Sequence, residues 1–402
     1  MSAPGARVVA ITGASSGIGR ATAQHFARHG WRVGLIARGE DNLDAVRKDV
    51  VTAGGTASVQ VADVADSAQL ERAAERIEME LGPIDVWINN AGVSVYGKFL
   101  DITEEEFRRV TDTNYFGTVN GTRIALKRMV PRNKGTVVQV LSVIAYRGVP
   151  LQSPYSGSKY ALRGFTEAVR AELIHDDSAV HLTMVHPPAV NTPFYNHAVS
   201  HMPEPVRPPP PVYQPEVIAD AIYFAATNRR REVKVAGPGP AFSIGNKLAP
   251  NLMDLFAGEA GVAAQQTSQR GAVEVRDPNL FSPPKRPSPT HGPFDAESLS
   301  VSPQMWLNKN RTAVGLGLGL IALAALAGTP RARGGAAKAA STAAEAVARQ
   351  FGTGPRGRVG EARHLAHAAT RAVTYAASGV RRAAAEAAEE ALDRARPLLR
   401  RL

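Results

Sequence analysis

Tyr155 and Lys159 stand four residues apart in a stretch that reads as helix, and Ser142 closes an apolar run containing Val137, Val138, Val140 and Leu141. A loop with Gly148 and Pro150 joins the two. Positions four apart share one helix face, so a phenol and an ammonium can meet there. The ammonium favours the ionised phenol and lowers its pKa from a reference of about 10, toward a value useful for proton transfer near neutrality. With the Ser142 hydroxyl, three groups suited to moving a proton on or off an oxygen converge. A surface Tyr and Lys beside a strand-end Ser is the bland alternative, and the spacing alone does not separate the two.

The elements that would position these groups alternate between strand and helix. Residues 7–12 are a short β-branched run ending in Gly13-Ala14-Ser15-Ser16-Gly17-Ile18-Gly19, after which 21–28 reads as helix. Strand, glycine-rich turn and helix in that order make a phosphate cradle. Glycines let the backbone approach a pyrophosphate, and the helix N-terminus offers free N–H groups and a positive dipole. The spacing, G-x-x-x-G-x-G, also suits an ordinary tight turn. Residues 31–37 form the next strand and Arg38 follows at once, with no carboxylate between Trp31 and Gly39. An acidic residue there would hold a ribose 2′-hydroxyl, whereas Arg suits a 2′-phosphate, so NADP(H) is expected over NAD; a solvated Arg at a strand end is the alternative.

The pattern continues with helices at 41–53 and 67–81 and strands at 56–61 and 84–88, which lead into Asp63-Val64 and Asn89-Asn90-Ala91-Gly92. A long helix is expected over 104–129, capped by Thr103 with Glu106 at its third position. It carries Asn114, and a buried amide there is more often a packing donor than a catalyst. Strands at 135–142, 180–186 and 232–236 and helices at 153–174 and 214–227 bring the count to about seven strands. Such alternation predicts an α/β fold, a doubly wound parallel sheet of Rossmann type. The Pro-rich run 193–215 lies where such a sheet opens, and either covers a substrate or is a plain surface connection.

At 402 residues the chain exceeds one typical domain. It has no cysteine, which excludes disulfides and Cys-ligated metals. The formal charge is +11, most of it placed after residue 330. Residues 1–260 are read as the dinucleotide-binding domain and 261–305, rich in Pro, Ser, Gly and Gln, as a flexible linker. Residues 306–330 are read as a candidate membrane-associated apolar helix and 331–402 as a basic Ala-rich helical tail. The uncharged run 313–328 has sixteen residues, four of them Gly, just short of the roughly 17–25 that span a bilayer. A membrane-inserted helix, a helix buried in an oligomer interface, or neither are the readings. The tail either rests on anionic lipid or is solvated. No charged n-region precedes an apolar h-region at the start, so the expectation is a cytoplasmic catalytic domain, membrane-associated through 313–328.

Together these motifs resemble the short-chain dehydrogenase/reductase family. The matches are T-G-A-S-S-G-I-G (Thr12 to Gly19), D-V (Asp63-Val64), N-N-A-G (Asn89 to Gly92), Asn114 of T-N-Y-F-G, Ser142, and Y-S-G-S-K (Tyr155 to Lys159). They stand in one order within 7–260, and the resemblance does not extend beyond. It implies cofactor contacts at Gly13, Ser15, Ser16, Gly17, Ile18 and Gly19 for the pyrophosphate, Asp63 and Val64 for the adenine, and Asn90, Ala91 and Gly92 along the site. Tyr155 would be the general acid or base, Lys159 would lower its pKa and hold the nicotinamide ribose, and Ser142 would orient the substrate oxygen. Asn114 would sustain a water-linked proton relay, and Thr192 would meet the nicotinamide carboxamide. Arg38 matches the basic position of NADP-preferring members. Pro187-Pro188 departs from the family's Pro-Gly after the sixth strand and removes a backbone N–H. Arg147 and Gly148 are expected to face substrate.

The implied activity is NADP(H)-dependent interconversion of a secondary alcohol and a carbonyl, on a small and, given the tail, lipophilic molecule, by a homo-oligomer. The alternatives are a non-catalytic cofactor-sensing or scaffolding protein on the same fold, and a membrane or nucleic-acid adaptor working through the basic tail. Intact Ser142, Tyr155 and Lys159 argue against the first. The tail lacks a recognition motif and interleaved aromatics, which argues against nucleic acid.

Overall fold

The structure, a computed structural model, describes residues 6–236, 245–246, 248–267 and 277–311. In chain order the elements are β1 (Val8–Thr12), α1 (Gly17–Arg28), β2 (Arg32–Ala37), α2 (Glu40–Thr52), β3 (Thr56–Val61), α3 (Ser67–Leu81), β4 (Ile84–Asn89) and the short β5 (Val95–Tyr96). They continue with α4 (Glu104–Thr111), α5 (Gly117–Met129), β6 (Thr136–Val140), α6 (Ser153–His175), β7 (His181–His186) and β8 (Ala189–Val190). The last are α7 (Phe194–His197), β9 (Val199–Ser200), β10 (Val212–Tyr213), α8 (Pro215–Thr227), β11 (Glu232–Lys234), α9 (Pro250–Ala263), β12 (Ser298–Leu299) and α10 (Pro303–Lys309). Seven parallel strands form the central sheet in the order β11-β7-β6-β4-β1-β2-β3. The order reverses between β1 and β4, and at such a switch point the crevice outside the strands' carboxyl ends takes ligands.

Alternate side chains of one strand serve opposite faces. From β1, Val9 and Ile11 enter a core with Phe26 of α1, Val46 of α2 and Ile222 of α8, while Val8 and Ala10 enter a second core with Ile77 of α3 and Ile124 of α5. All five β1 residues are therefore buried, as a parallel strand covered on both sides requires. Gly34 lets α3 approach β2, since a Cβ there would lie 2.6 Å from Ile77 Cδ1. A polar knot fixes α5 to the sheet: Asn89 Nδ2 donates to Gln139 Oε1 at 2.9 Å and Thr122 Oγ1 at 3.1 Å, and accepts at Oδ1 from Trp87 Nε1 at 2.8 Å.

The expected helix 104–129 carries one local change. Thr103 and Glu106 form the predicted capping box, with bonds of 3.2 and 2.9 Å. Between α4 and α5, however, Asp112–Phe116 make a π-helical turn holding Asn114. Such turns insert a residue without breaking the helix, so the apolar period reads through them.

The flexible linker expected over 261–305 is corrected in its described part. Leu280, Ser288 and Phe294 are buried, and β12 pairs in parallel with β10, which pairs with β8. Met305 enters the core beside Ile222, and one compact unit runs to Trp306, so the folded domain extends past 260. The apolar run 313–328 and the tail 331–402 lie outside the described residues; among the described residues no helix is long and apolar enough to cross a membrane.

Candidate active site

At the carboxyl ends of the central strands a cleft of about 730 Å³ opens. Its first wall is the glycine-rich turn. Gly13 and Gly17 take positive φ of +65° and +50°, a region that suits glycine. A Cβ on Gly13 would lie 2.7 Å from Ala91 Cα, and one on Gly19 would collide with the Gly13 carbonyl. Ser16 precedes α1 without a side-chain cap bond, and the first turn carries no acid. The N–H groups and positive dipole of α1 thus face the cleft uncompensated by an acidic side chain. Asn90 braces this turn, donating from Nδ2 to the carbonyls of Thr12 at 3.0 Å and Gly13 at 3.2 Å. Thr12 Oγ1 in turn accepts from the N–H groups of Asn90 and Ala91 at 3.0 and 3.1 Å.

Arg38 emerges from the end of β2, where burial and then the nearby Arg109 pull its pKa below the ordinary value, Asp63 opposing them. Arg109, unremarked in the sequence, pairs with Asp63 at 2.5 Å. The Asp63 carboxylate also accepts from Ala65 N at 3.0 Å. Val64 packs on α5 at Gly117, where a Cβ would lie 3.0 Å from the Val64 Cβ.

The opposite end of the cleft is built by β6 and α6. Ser142 ends the β6 run and accepts from Ile144 N at 3.2 Å, which turns the chain out of the sheet. Tyr155 projects from the first turn of α6 into the cleft that Ser142 also lines. Lys159 donates to the Val140 carbonyl at 2.9 Å, and its Nζ lies 5.4 Å from the Tyr155 ring centre. The expected lowering of the phenol's pKa is reversed here: burial pushes Tyr155 up, with the Ser142 hydroxyl opposing. Burial also pulls Lys159 down to about 8. In a site of low polarity both groups are driven toward their neutral forms.

Among the residues expected from the sequence, only Asn114 fails to line the cleft; Ile18, Gly92, Thr192, Arg147 and Gly148 line it with the others. Asn114 is fully buried behind it. Its Oδ1 accepts from Val93 N at 2.9 Å, and its Nδ2 donates to Val93 O at 3.0 Å and Ser158 Oγ at 3.3 Å. The side chain is thus committed to holding the loop after β4 against α6. Val143 N donates to the Pro187 carbonyl at 3.0 Å, which fixes the Pro-Pro segment beside Ser142.

Several contributors were not named individually in the sequence, although Phe194 and Tyr195 fall in the Pro-rich run 193–215. Tyr96, Phe194, Tyr195, Met253 and Phe256 close the end beside Tyr155, and the Tyr155 and Phe194 rings meet edge-on at 5.7 Å. Met253, Phe256, Ala257, Ala260 and Ala264 are an apolar stripe at helical spacing along α9 and just past its end. Arg147 anchors α9 by its ion pair with Asp254 and a 2.8 Å bond to Asn246 Oδ1. Behind Ser142, the buried His186 places Nδ1 3.2 Å from the Ser142 carbonyl. Glu232, held well below the carboxylate range first by His186, accepts from Tyr146 at 2.7 Å.

The family model for short chain dehydrogenases matches residues 7–203. An uncharacterized oxidoreductase of Bacillus subtilis, YxnA, is 37% identical over 250 residues, covering 62% of this chain and 70% of the relative. Among solved structures, an actinorhodin polyketide ketoreductase with NADPH aligns at TM-score 0.54 and 29% identity, over 59% of this chain and 98% of that one. A short chain dehydrogenase of Mycobacterium paratuberculosis bound to NAD aligns at TM-score 0.51 and 26% identity, over 58% and 98%.

Proposed function

The chain belongs to the short-chain dehydrogenase/reductase family, and from that premise we propose that it is an NADP(H)-dependent oxidoreductase of a secondary alcohol and its carbonyl. The observation that carries this reading is that Ser142, Tyr155 and Lys159 line one cleft continuous with the glycine-rich turn. The residues present fit a dinucleotide: a turn that tolerates no Cβ at Gly13 or Gly19, an α1 N-terminus with no side-chain cap and no acid in its first turn, and a cationic strand end. The turn and α1 would hold the pyrophosphate, Arg38 the 2′-phosphate and Lys159 the nicotinamide ribose. The bound cofactor supplies hydride chemistry.

This chain's own part is the proton and the geometry. Ser142 orients the substrate oxygen toward the Tyr155 hydroxyl. The Tyr155 hydroxyl is protonated at neutral pH, its pKa lying above the ordinary phenol value, so it can donate a proton to the alkoxide that develops when the carbonyl is reduced and take it back in the reverse direction. Phe194 and the α9 stripe present apolar surface to the cleft, and this favours a lipophilic ketone or aldehyde.

Arg38 and the absence of a carboxylate at the end of β2 support NADP(H) over NAD. The two solved neighbours carry one cofactor each, so the choice rests on this chain's own residues. Replacing Tyr155 with Phe tests the assignment: NADPH binding persists while carbonyl-dependent NADPH consumption disappears.

A further inference from the structure

The stretch from Asp277 to Leu299 lies beyond the family-matched residues and touches both lips of the cleft. On the adenosine side, the Asn279 carbonyl accepts from Arg38 Nη2, and the Leu280 carbonyl from Arg38 Nη1 at 3.2 Å and Arg109 Nε at 3.0 Å. Asn42 Oδ1 accepts from Ser288 N at 2.8 Å, Arg20 Nη1 donates to Ser288 O at 3.0 Å, and Gly17 N donates to Pro289 O at 3.2 Å. On the other lip, Asn279 N donates to His197 O at 2.9 Å and Phe294 N to Asn191 Oδ1 at 3.0 Å. Between these anchors Pro283 and Pro284 line the cleft. Five prolines between 283 and 293 stiffen the segment.

We propose that Asp277–Leu299 is a further wall of the dinucleotide site, a clasp over its adenosine end that presets Arg38 for a 2′-phosphate and must swing aside for NADP(H) to enter or leave. This rests on the NADP(H) reading above. Two of the five N–H donors of a guanidinium are taken by neutral carbonyls, which orient Arg38 without cancelling its charge. Arg109 is already matched by Asp63, so Arg38 carries the charge that an anion would answer. A stiff segment bonded to both lips cannot yield at one end alone, so cofactor exchange waits on its release.

The chain contains no cysteine, and a Cβ on Gly39 would lie 3.2 Å from Pro283 Cβ, close to the roughly 3.5–4.5 Å of a disulfide. Full-length protein carrying Gly39→Cys and Pro283→Cys is loaded with NADPH, oxidised, and mixed with excess NADP⁺ while cofactor fluorescence reports release. Release slows at least about tenfold on oxidation and recovers on reduction, as expected where a lid gates the ligand. Equal rates in the cross-linked and reduced forms overturn the clasp and leave the NADP(H) reading standing. Failure of the wild-type chain to bind NADPH overturns both. Phe294→Ala, which keeps the backbone bond to Asn191 but removes the buried ring that packs the segment against Tyr195, releases NADPH faster than wild type, and an unchanged rate also overturns the clasp.

Discussion

Lys159 Nζ lies 5.4 Å from the centre of the Tyr155 ring while donating to the Val140 carbonyl at 2.9 Å. The ammonium is thereby fixed to the end of β6 with the phenol ring beneath it. Lys159 is buried and Tyr155 partly so, and desolvation is the leading effect on both, raising the phenol and bringing the amine to about 8. The sequence rule that a neighbouring Lys lowers a Tyr pKa omits this desolvation cost.

This arrangement has a stability signature. Lys159 titrates near 8 in the folded protein and near 10.4 when unfolded. Between these values the unfolded chain binds more protons, so the residue's contribution to stability rises with pH across that window, by at most about 1.4 kcal/mol per unit. Urea unfolding of the cofactor-free wild type and Lys159→Met from about pH 8 to about pH 10 shows wild type gaining on the variant. Parallel profiles would contradict the buried ammonium.

Asn114 satisfies both backbone groups of Val93 from inside a π-helical turn. Asn114→Ala leaves a buried donor and acceptor unmatched, at about 1–3 kcal/mol each. Denaturant unfolding should therefore show a loss of at least about 2 kcal/mol, together with reduced turnover as the loop after β4 shifts. A variant as stable as wild type would remove Asn114 from this positioning role.

Under the proposed NADP(H) reading, Arg38 separates the two nicotinamide cofactors. Losing charge-assisted bonds worth about 1.5–3 kcal/mol should weaken NADPH about 10–150-fold in Arg38→Ala while leaving NADH nearly unchanged. Fluorescence titration with both cofactors decides it. An equal loss for the two would defeat the NADP assignment.

The middle of α9 is tied to the cleft by the ion pair of Arg147 with Asp254. Asp254→Asn loosens the apolar stripe over the substrate end without touching the turn or Tyr155. KM should rise about tenfold for long-chain ketones, in keeping with the loss of one or two methylene contacts, and stay constant for acetone-sized ones. A uniform change across chain lengths would argue against α9 as a substrate wall.

Much of the central sheet was legible because its information is local. Residues 56–61 read as a strand and were found as β3, and the helix expected at 153–174 is α6, ending one residue later. Turn glycines, β-branched runs and the 103–106 cap each act within a few residues of themselves. The clasp was not legible for the opposite reason. Its Pro-rich backbone is held by Arg38, Asn42 and Arg20, each more than 240 residues away in sequence, and nothing in its own spacing encodes those partners. Likewise Arg109 looks like any helix-surface cation until α4 packs it against Asp63, and a single π turn is invisible to the 3.6-residue period that surrounds it.

The most direct measurement preloads wild type and Tyr155→Phe with NADPH and follows cofactor absorbance on adding an apolar methyl ketone at neutral pH. Wild type should consume NADPH in proportion to ketone, while the variant binds NADPH equally well and consumes at least about 10³-fold less, given the 10²–10⁴ typical of positioned acid–base groups. Consumption at the same rate in both proteins would contradict Tyr155 as the proton donor.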